Sequence, residues 1–185
     1  MFQPWLKWAN QRSPVAAPAT AVPPAVPRHS HRQRLLAMSL SHLKLCSEKR
    51  CEQLAQQGVT TAGDLLWCDV AMIAQPFGSP ARAERALKRF QAAMRLAISV
   101  EGMTPRDALL LIAIHRRSID GLAREHAATL RRDLERFSLS TQGSRLIGTR
   151  GIPSLRRIKT WIAKCQADVN ALANTALPAR SSIAA

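Results

Sequence analysis

The sequence contains no tyrosine, and its four phenylalanines and four tryptophans make up only 4% of 185 residues. RNA-binding sheets and single-strand-binding barrels rest on rows of stacked rings, so neither is expected here. Long apolar runs are also missing. The most apolar stretch, Ala108 to Ile114, falls far short of the roughly 20 residues that a spanning helix needs, and no membrane span is expected. Strand signals, short alternating runs between turn residues, do not occur, which points to an all-α fold. The four cysteines, Cys46, Cys51, Cys68 and Cys165, follow no regular spacing. The N-terminus has no apolar run before a small-residue cleavage site. A disulfide-stapled secreted protein is therefore not expected, and a reduced, cytoplasmic setting is.

Acidic residues are scarce as well: 12 Asp and Glu face 27 Lys and Arg, a formal charge of +15. No acid precedes Glu48, whereas Lys7, Arg12, Arg28, Arg32, Arg34 and Lys44 do. An organelle transit helix is not the explanation, because Pro4, Pro14, Pro18, Pro23, Pro24 and Pro27 interrupt it. Residues 1–35 read instead as a disordered, Pro-rich basic tether. At its start, MFQPWLKWA brings Phe2, Trp5 and Trp8 together, a candidate docking peptide for a protein partner. Residues 173–185 contain Pro178, lack periodicity and read as a disordered tail.

With 46% hydrophobic residues, the segment between these ends, residues 36–172, can bury a core. Its punctuation is that of short helices. Ser47 precedes EKRCEQLAQQ, which Gly58 closes, and Thr61 opens AGDLLWC with Asp64 as capping partner. Ser79 and Pro80 start a longer helix with Ala83, Leu87, Phe90, Met94, Ala97 and Ile98 on one face. Thr104, Pro105 and Asp107 open ALLLIAI, apolar on every side and therefore the expected centre of the domain. Ser118 opens a further helix with Ile119, Leu122, His126, Leu130 and Leu134 inward. After Pro153, Leu155, Ile158, Ile162, Cys165, Val169 and Leu172 form a narrow apolar seam. The order cap, leucine, cap, leucine at Ser47, Leu54, Thr61 and Leu65 recurs at Thr104, Leu111, Ser118 and Leu122. That spacing suggests two sub-units, about 36–101 and 102–172.

The stretch LKLCSEKRCEQLAQQGVTTAGDLLWCD, with Gly58-Val59-Thr60-Thr61 between two helices, resembles a helix-hairpin-helix unit of DNA-repair and recombination proteins. Together with HRRSIDGLAREHAATLRRDLERFSLSTQGSRLI and PSLRRIKTWI, it also resembles an uncharacterised bacterial domain related to the helix-hairpin-helix, over roughly residues 36–168. The resemblance implies a compact all-α bundle of tandem, degenerate helix-hairpin-helix-like (SAM-like) units. In a DNA-binding hairpin, glycines flank the turn so that backbone N–H groups approach a phosphate. Here Lys44-Leu45-Cys46 and Met103-Thr104-Pro105 stand at those places without a glycine. The backbone cradle is expected to be lost, leaving Lys44 a side-chain phosphate contact without sequence information.

No nucleophile elbow, HExxH or phosphate loop is present, so no catalysis is expected. His42, Cys46, Cys51 and Cys68 lie close in sequence but form no CxxC pair, so the cysteines read as small buried thiols, and no metal or cofactor is expected. The remaining signal is charge. Arg136, Arg145, Arg150, Arg156, Arg157, Lys159 and Lys164 form an acid-free run, joined by the loop QGSRLIGTRG, whose glycines are expected to leave backbone N–H groups mobile. Arg82, Arg85, Lys88, Arg89 and Arg95 form a second cluster. Arginine forks follow a phosphate backbone without reading bases. The expected function is non-catalytic, sequence-tolerant binding of DNA or RNA. The alternative is a helical protein-interaction scaffold whose surface is merely solubilised by its basic residues.

Overall fold

The computed structural model describes residues 30–175. Phe2, Trp5 and Trp8, most of the Pro-rich segment, and the tail from residue 176 lie outside the described residues. The described chain is helical, without a strand, in the order α1 (His31–Leu36), α2 (Leu40–Leu43), α3 (Glu48–Gln56), α4 (Ala62–Trp67), α5 (Val70–Ala74), α6 (Pro80–Ser99), α7 (Pro105–Ala113), α8 (Ile119–Ala123), α9 (Ala127–Ser138), α10 (Thr141–Ile147), a 3-10 turn (Gly148–Arg150) and α11 (Leu155–Thr175). None of the described helices is long and apolar enough to cross a membrane.

Two long helices organise the rest. Helix α6 packs against α1, α4, α5 and α7, and α11 packs against α8 and α9. Between these groups α7 is sheltered along its length, with Ala108, Leu109, Leu110, Leu111 and Ile112 all buried, as its all-round apolarity predicts. Met94, Val100, Met103, Leu122, Leu130, Leu134 and Ile158 complete one continuous core. Burying each such side chain contributes on the order of 1.5–3 kcal/mol.

The recurrence in the sequence has a counterpart in geometry. Ser47, Thr61, Thr104 and Ser118 are all N-caps. Leu54 and Leu111 are both buried, as are Leu65 and Leu122. The turn after α3 closes with the Val59 amide donating to the Leu54 carbonyl at 2.9 Å, and the turn after α7 closes with Arg116 donating to Leu111 at 2.8 Å. Each turn needs one left-handed residue: Gly58 supplies it at φ 79° and His115 at φ 65°. At Thr61 the capping carboxylate is strongly held. Amides of Thr61 and Thr60 and both threonine hydroxyls pull the Asp64 carboxyl down to about 2.

Several expectations are corrected. Helix α1 begins inside the stretch assigned to the tether; Ser30 closes a capping box with Gln33, Leu35 is buried, and the His31 ring bonds the Ala97 carbonyl at 2.9 Å. Helix α11 continues through Thr175, past the expected start of the tail. The single helix expected from Ser118 is two, α8 and α9, and His126 is the exposed N-cap of the second instead of a core residue. A sequence stripe persists through such a break because α9 restarts with its apolar positions still facing the same core. The expected glycine loop is largely α10. Its Gly143 is buried and donates its amide to Ser140 Oγ at 2.9 Å. On α11, Trp161 is buried and Leu172 is exposed, so the inward face differs from the expected seam at both points.

Gln91 is the buried polar residue that periodicity missed. From the middle of α6 its amide Nε2 donates to the carbonyls of Leu65 at 3.0 Å and Cys68 at 3.1 Å. It thereby satisfies orphan groups at the C-terminal end of α4. Replacing Gln91 by Leu is expected to remove the amide donor from both carbonyls, leaving Leu65 only the weaker Cys68 thiol. Urea unfolding should read a loss of about 1–3 kcal/mol.

Candidate functional site

Helix α3 faces the first half of α6 across an open cleft of about 440 Å³. Its lining follows from two helical periodicities meeting at an angle: Ser47, Lys49, Arg50 and Gln53 from α3 and its cap, and Ser79, Arg82, Ala83, Ala86, Arg89 and Phe90 from α6 and its cap. Leu54, Phe77, Leu87 and Phe90 supply an apolar wall; Leu54 and Leu87 are buried, while Phe77 and Phe90 are half-buried. Four cations, Lys49, Arg50, Arg82 and Arg89, line the cleft, and no carboxylate does. Glu48 and Glu52 are absent from the lining although they alternate with these cations in the chain.

Two further features favour an anion. The cleft contains the N-terminal turns of both α3 and α6, where the helix dipole concentrates positive potential. Neither N-cap serine uses its hydroxyl: Ser47 and Ser79 make no side-chain capping bond, whereas Thr61, Thr104 and Ser118 do. Beside the cleft, Arg82, Arg85 and Arg89 bound a shallow hollow. Their spacing places them on one face over about 10 Å of helix axis. Arg85 is partly committed, its Nε donating to the Ala81 carbonyl at 3.2 Å.

The other residues expected to bind phosphate divide into two groups. Lys88 pairs with Glu84 at 2.6 Å, a surface contact worth little on its own. Arg95 lines a separate hollow with Trp67, Glu84 and Lys88. Lys44 caps α2 in a left-handed conformation, exposed and outside the cleft lining. In the acid-free run, tertiary folding supplies the acids that the sequence lacks nearby. Arg157 donates to Asp107 Oδ2 at 2.6 Å and lies over the Trp161 ring at 5.4 Å. Lys164 donates to Glu101 at 2.6 Å and holds that carboxyl below its usual range. Arg157 is thus a tie between α11 and the N-terminus of α7. Arg136, Arg145, Arg150, Arg156 and Lys159 are exposed, and none forms an ion pair among the described residues.

Sequence reading passed over Lys49, Arg50 and Phe77 and took Ser47 and Ser79 only as helix caps; α3 carries as many acids as bases. The helical phase of Lys49 and Arg50 against Glu48 and Glu52 was the available signal. Arg106 was also missed; it donates to the Leu146 carbonyl at 2.9 Å and the Ile147 carbonyl at 2.6 Å, closing the end of α10.

The thiols divide similarly. Cys46, at the lip of the cleft, has its Sγ 3.1 Å from that of Cys51. Burial and the Cys51 contact push the Cys46 thiol up to about 12, so it is protonated at neutral pH. Cys68 donates to the Leu65 carbonyl at 3.3 Å, and His42 bonds Ser39 Oγ at 2.7 Å, so these four side chains each have local partners. Among the described residues no three His, Cys, Asp or Glu side chains converge.

A family model described as "Domain of unknown function (DUF4332)" matches residues 44–168, a span that contains α3, α6 and the cleft between them. No curated protein and no solved structure matches the chain.

Proposed function

We propose that this chain, which belongs to the DUF4332 family of domains of unknown function, is a non-catalytic module that binds nucleic acid without reading its sequence. The observation that carries this reading is the α3–α6 cleft, where Lys49, Arg50, Arg82 and Arg89 meet two helix N-termini with no carboxylate among the lining residues. Three of the four are arginines, whose planar forks match phosphate oxygens. Arg85 extends the row along α6, and the exposed Arg150, Arg156 and Lys159 add favourable potential elsewhere. Such contacts position a phosphate backbone and discriminate little between bases. Two short helix pairs, α3–α4 and α7–α8, are each joined by a turn with one left-handed residue. Binding here would run through side chains and helix ends, since the hairpin glycines are missing.

Fluorescence anisotropy of labelled single-stranded and duplex oligonucleotides across a salt series tests this. Affinity is expected to fall linearly in log–log form, with a slope of about −2 to −4 for three to five phosphate contacts. Absence of binding even at low salt would overturn the reading.

One observation favours a scaffold instead. Trp67 is 76% exposed and Met72 is 71% exposed. A pull-down partner that resists nuclease and is lost on Trp67→Ala would support that role.

A further inference from the structure

The cleft combines its phosphate-attracting rim with an apolar wall that phosphate alone does not require. We infer that the α3–α6 cleft takes one unpaired nucleotide, its phosphate at the rim and its base against Phe77 and Phe90, so that the protein prefers single strands or frayed ends to intact duplex. This rests on the nucleic-acid reading and adds to it a ligand class.

The geometry selects among anionic partners. A space of about 440 Å³ lies within the range of small-ligand sites, a few hundred to about 1,000 Å³. An acidic amphipathic helix, about 10 Å across and several turns long, needs an extended groove, not a cleft bounded by one short helix and half of another. A nucleotide fits in size and in polarity: an anion for Arg50, Arg82 and the N-terminal turns, and a flat apolar face for Phe77 and Phe90, which are half-buried and line the cleft. A base paired inside a duplex cannot reach such a wall without being extruded, at a cost of a few kcal/mol, whereas an unpaired base enters without it. The scarcity of aromatic residues is consistent with this. Two phenylalanines cannot form a stacking platform for a run of bases, but one nucleotide needs no more.

The test uses the full chain, a short single strand, a blunt duplex of equal length, and a single strand carrying the fluorescent base 2-aminopurine. The single strand is expected to bind about tenfold more tightly than the duplex at equal salt. The 2-aminopurine emission should change on binding. Ala86→Trp places a ring inside the cleft from an α6 position in its lining. It should abolish the preference and the emission change. Phe90→Leu keeps an apolar wall without the aromatic face and should lower the preference on its own, which decides the matter if Ala86→Trp does not fold. Equal binding of strand and duplex, or a preference untouched by both variants, overturns the inference and leaves nucleic-acid binding standing. Failure to bind either oligonucleotide overturns both readings, and binding of an acidic aromatic peptide in their place would assign the cleft to a protein ligand.

Discussion

Alanine at Arg82, Arg85 and Arg89 together is expected to weaken binding of a single-stranded oligonucleotide by about a hundredfold near physiological salt and to flatten the salt slope by about 2. Each phosphate contact to a single strand releases roughly 0.7 of a counterion, so three lost contacts remove about that much slope. The three arginines are exposed on one face of α6, and none forms an ion pair among the described residues, so their removal should leave the fold intact. Circular dichroism and the melting temperature provide that control. The contrasting pair, Arg156→Ala with Lys159→Ala, removes two exposed cations from the start of α11, outside the lining of the α3–α6 cleft. It should reduce the slope by well under 1, because diffuse charge aids encounter without fixing a contact. A larger loss from the α11 pair than from the α6 triple would place the binding face on α11 and remove the cleft from the account.

Gly143→Ala is expected to be the most destabilising single methyl addition in the described chain. A Cβ at this position would lie 1.8 Å from the Phe137 carbonyl oxygen and 2.6 Å from its carbon. Both are backbone atoms at the end of α9, so no rotamer change relieves the overlap; α10 must move away as a unit. With it would go the Arg106 contacts to Leu146 and Ile147, which tie α10 to α7. The expected loss is at least about 3 kcal/mol, seen in urea unfolding or as a fall in melting temperature of about 6–12 °C. Gly78→Ala is the matched control. Nothing lies within 4 Å of its Cβ and its φ is not in the left-handed region. There a methyl group should be neutral or should stabilise by up to about 1 kcal/mol through the unfolded chain. Similar melting for both variants would mean that α10 is not packed as described.

Much of the fold was legible because helices announce their ends locally. Thr61 with Asp64, Thr104 with Asp107, and Ser79 with Pro80 are signals within one turn of chain, and each marks a helix start. The apolar run of α7 likewise required no long-range information to read as the centre. His126 and the segment 141–147 failed for a related reason. A break of three residues leaves an apolar stripe almost in phase, and glycines suggest a loop unless one knows that Gly143 is needed where α10 meets the α9 backbone. Gln91 failed because its partners belong to α4, more than twenty residues earlier in the chain.

The candidate site was legible only in part. Arg82, Arg85 and Arg89 stand on one face of a helix that the sequence itself defines. Lys49 and Arg50 join them only because α3 is held across from α6, which no local pattern records.

Low aromatic content, scarcity of acids, lack of strands and the phase of each helix are properties of the chain itself, and they determined an all-α, strongly basic protein. Which charges are free is a different kind of fact, since an ion pair depends on distance in space. The acid-free run from Arg136 to Lys164 looked like the binding face, yet Asp107 and Glu101 reach Arg157 and Lys164 from distant segments. Helix α3 carries as many acids as bases, yet its phase turns Lys49 and Arg50 into the cleft and leaves Glu48 and Glu52 out of the lining. Coulomb attraction falls with separation and with solvent screening, so the tertiary arrangement, and not the order of residues, decided where positive charge remains available to a partner.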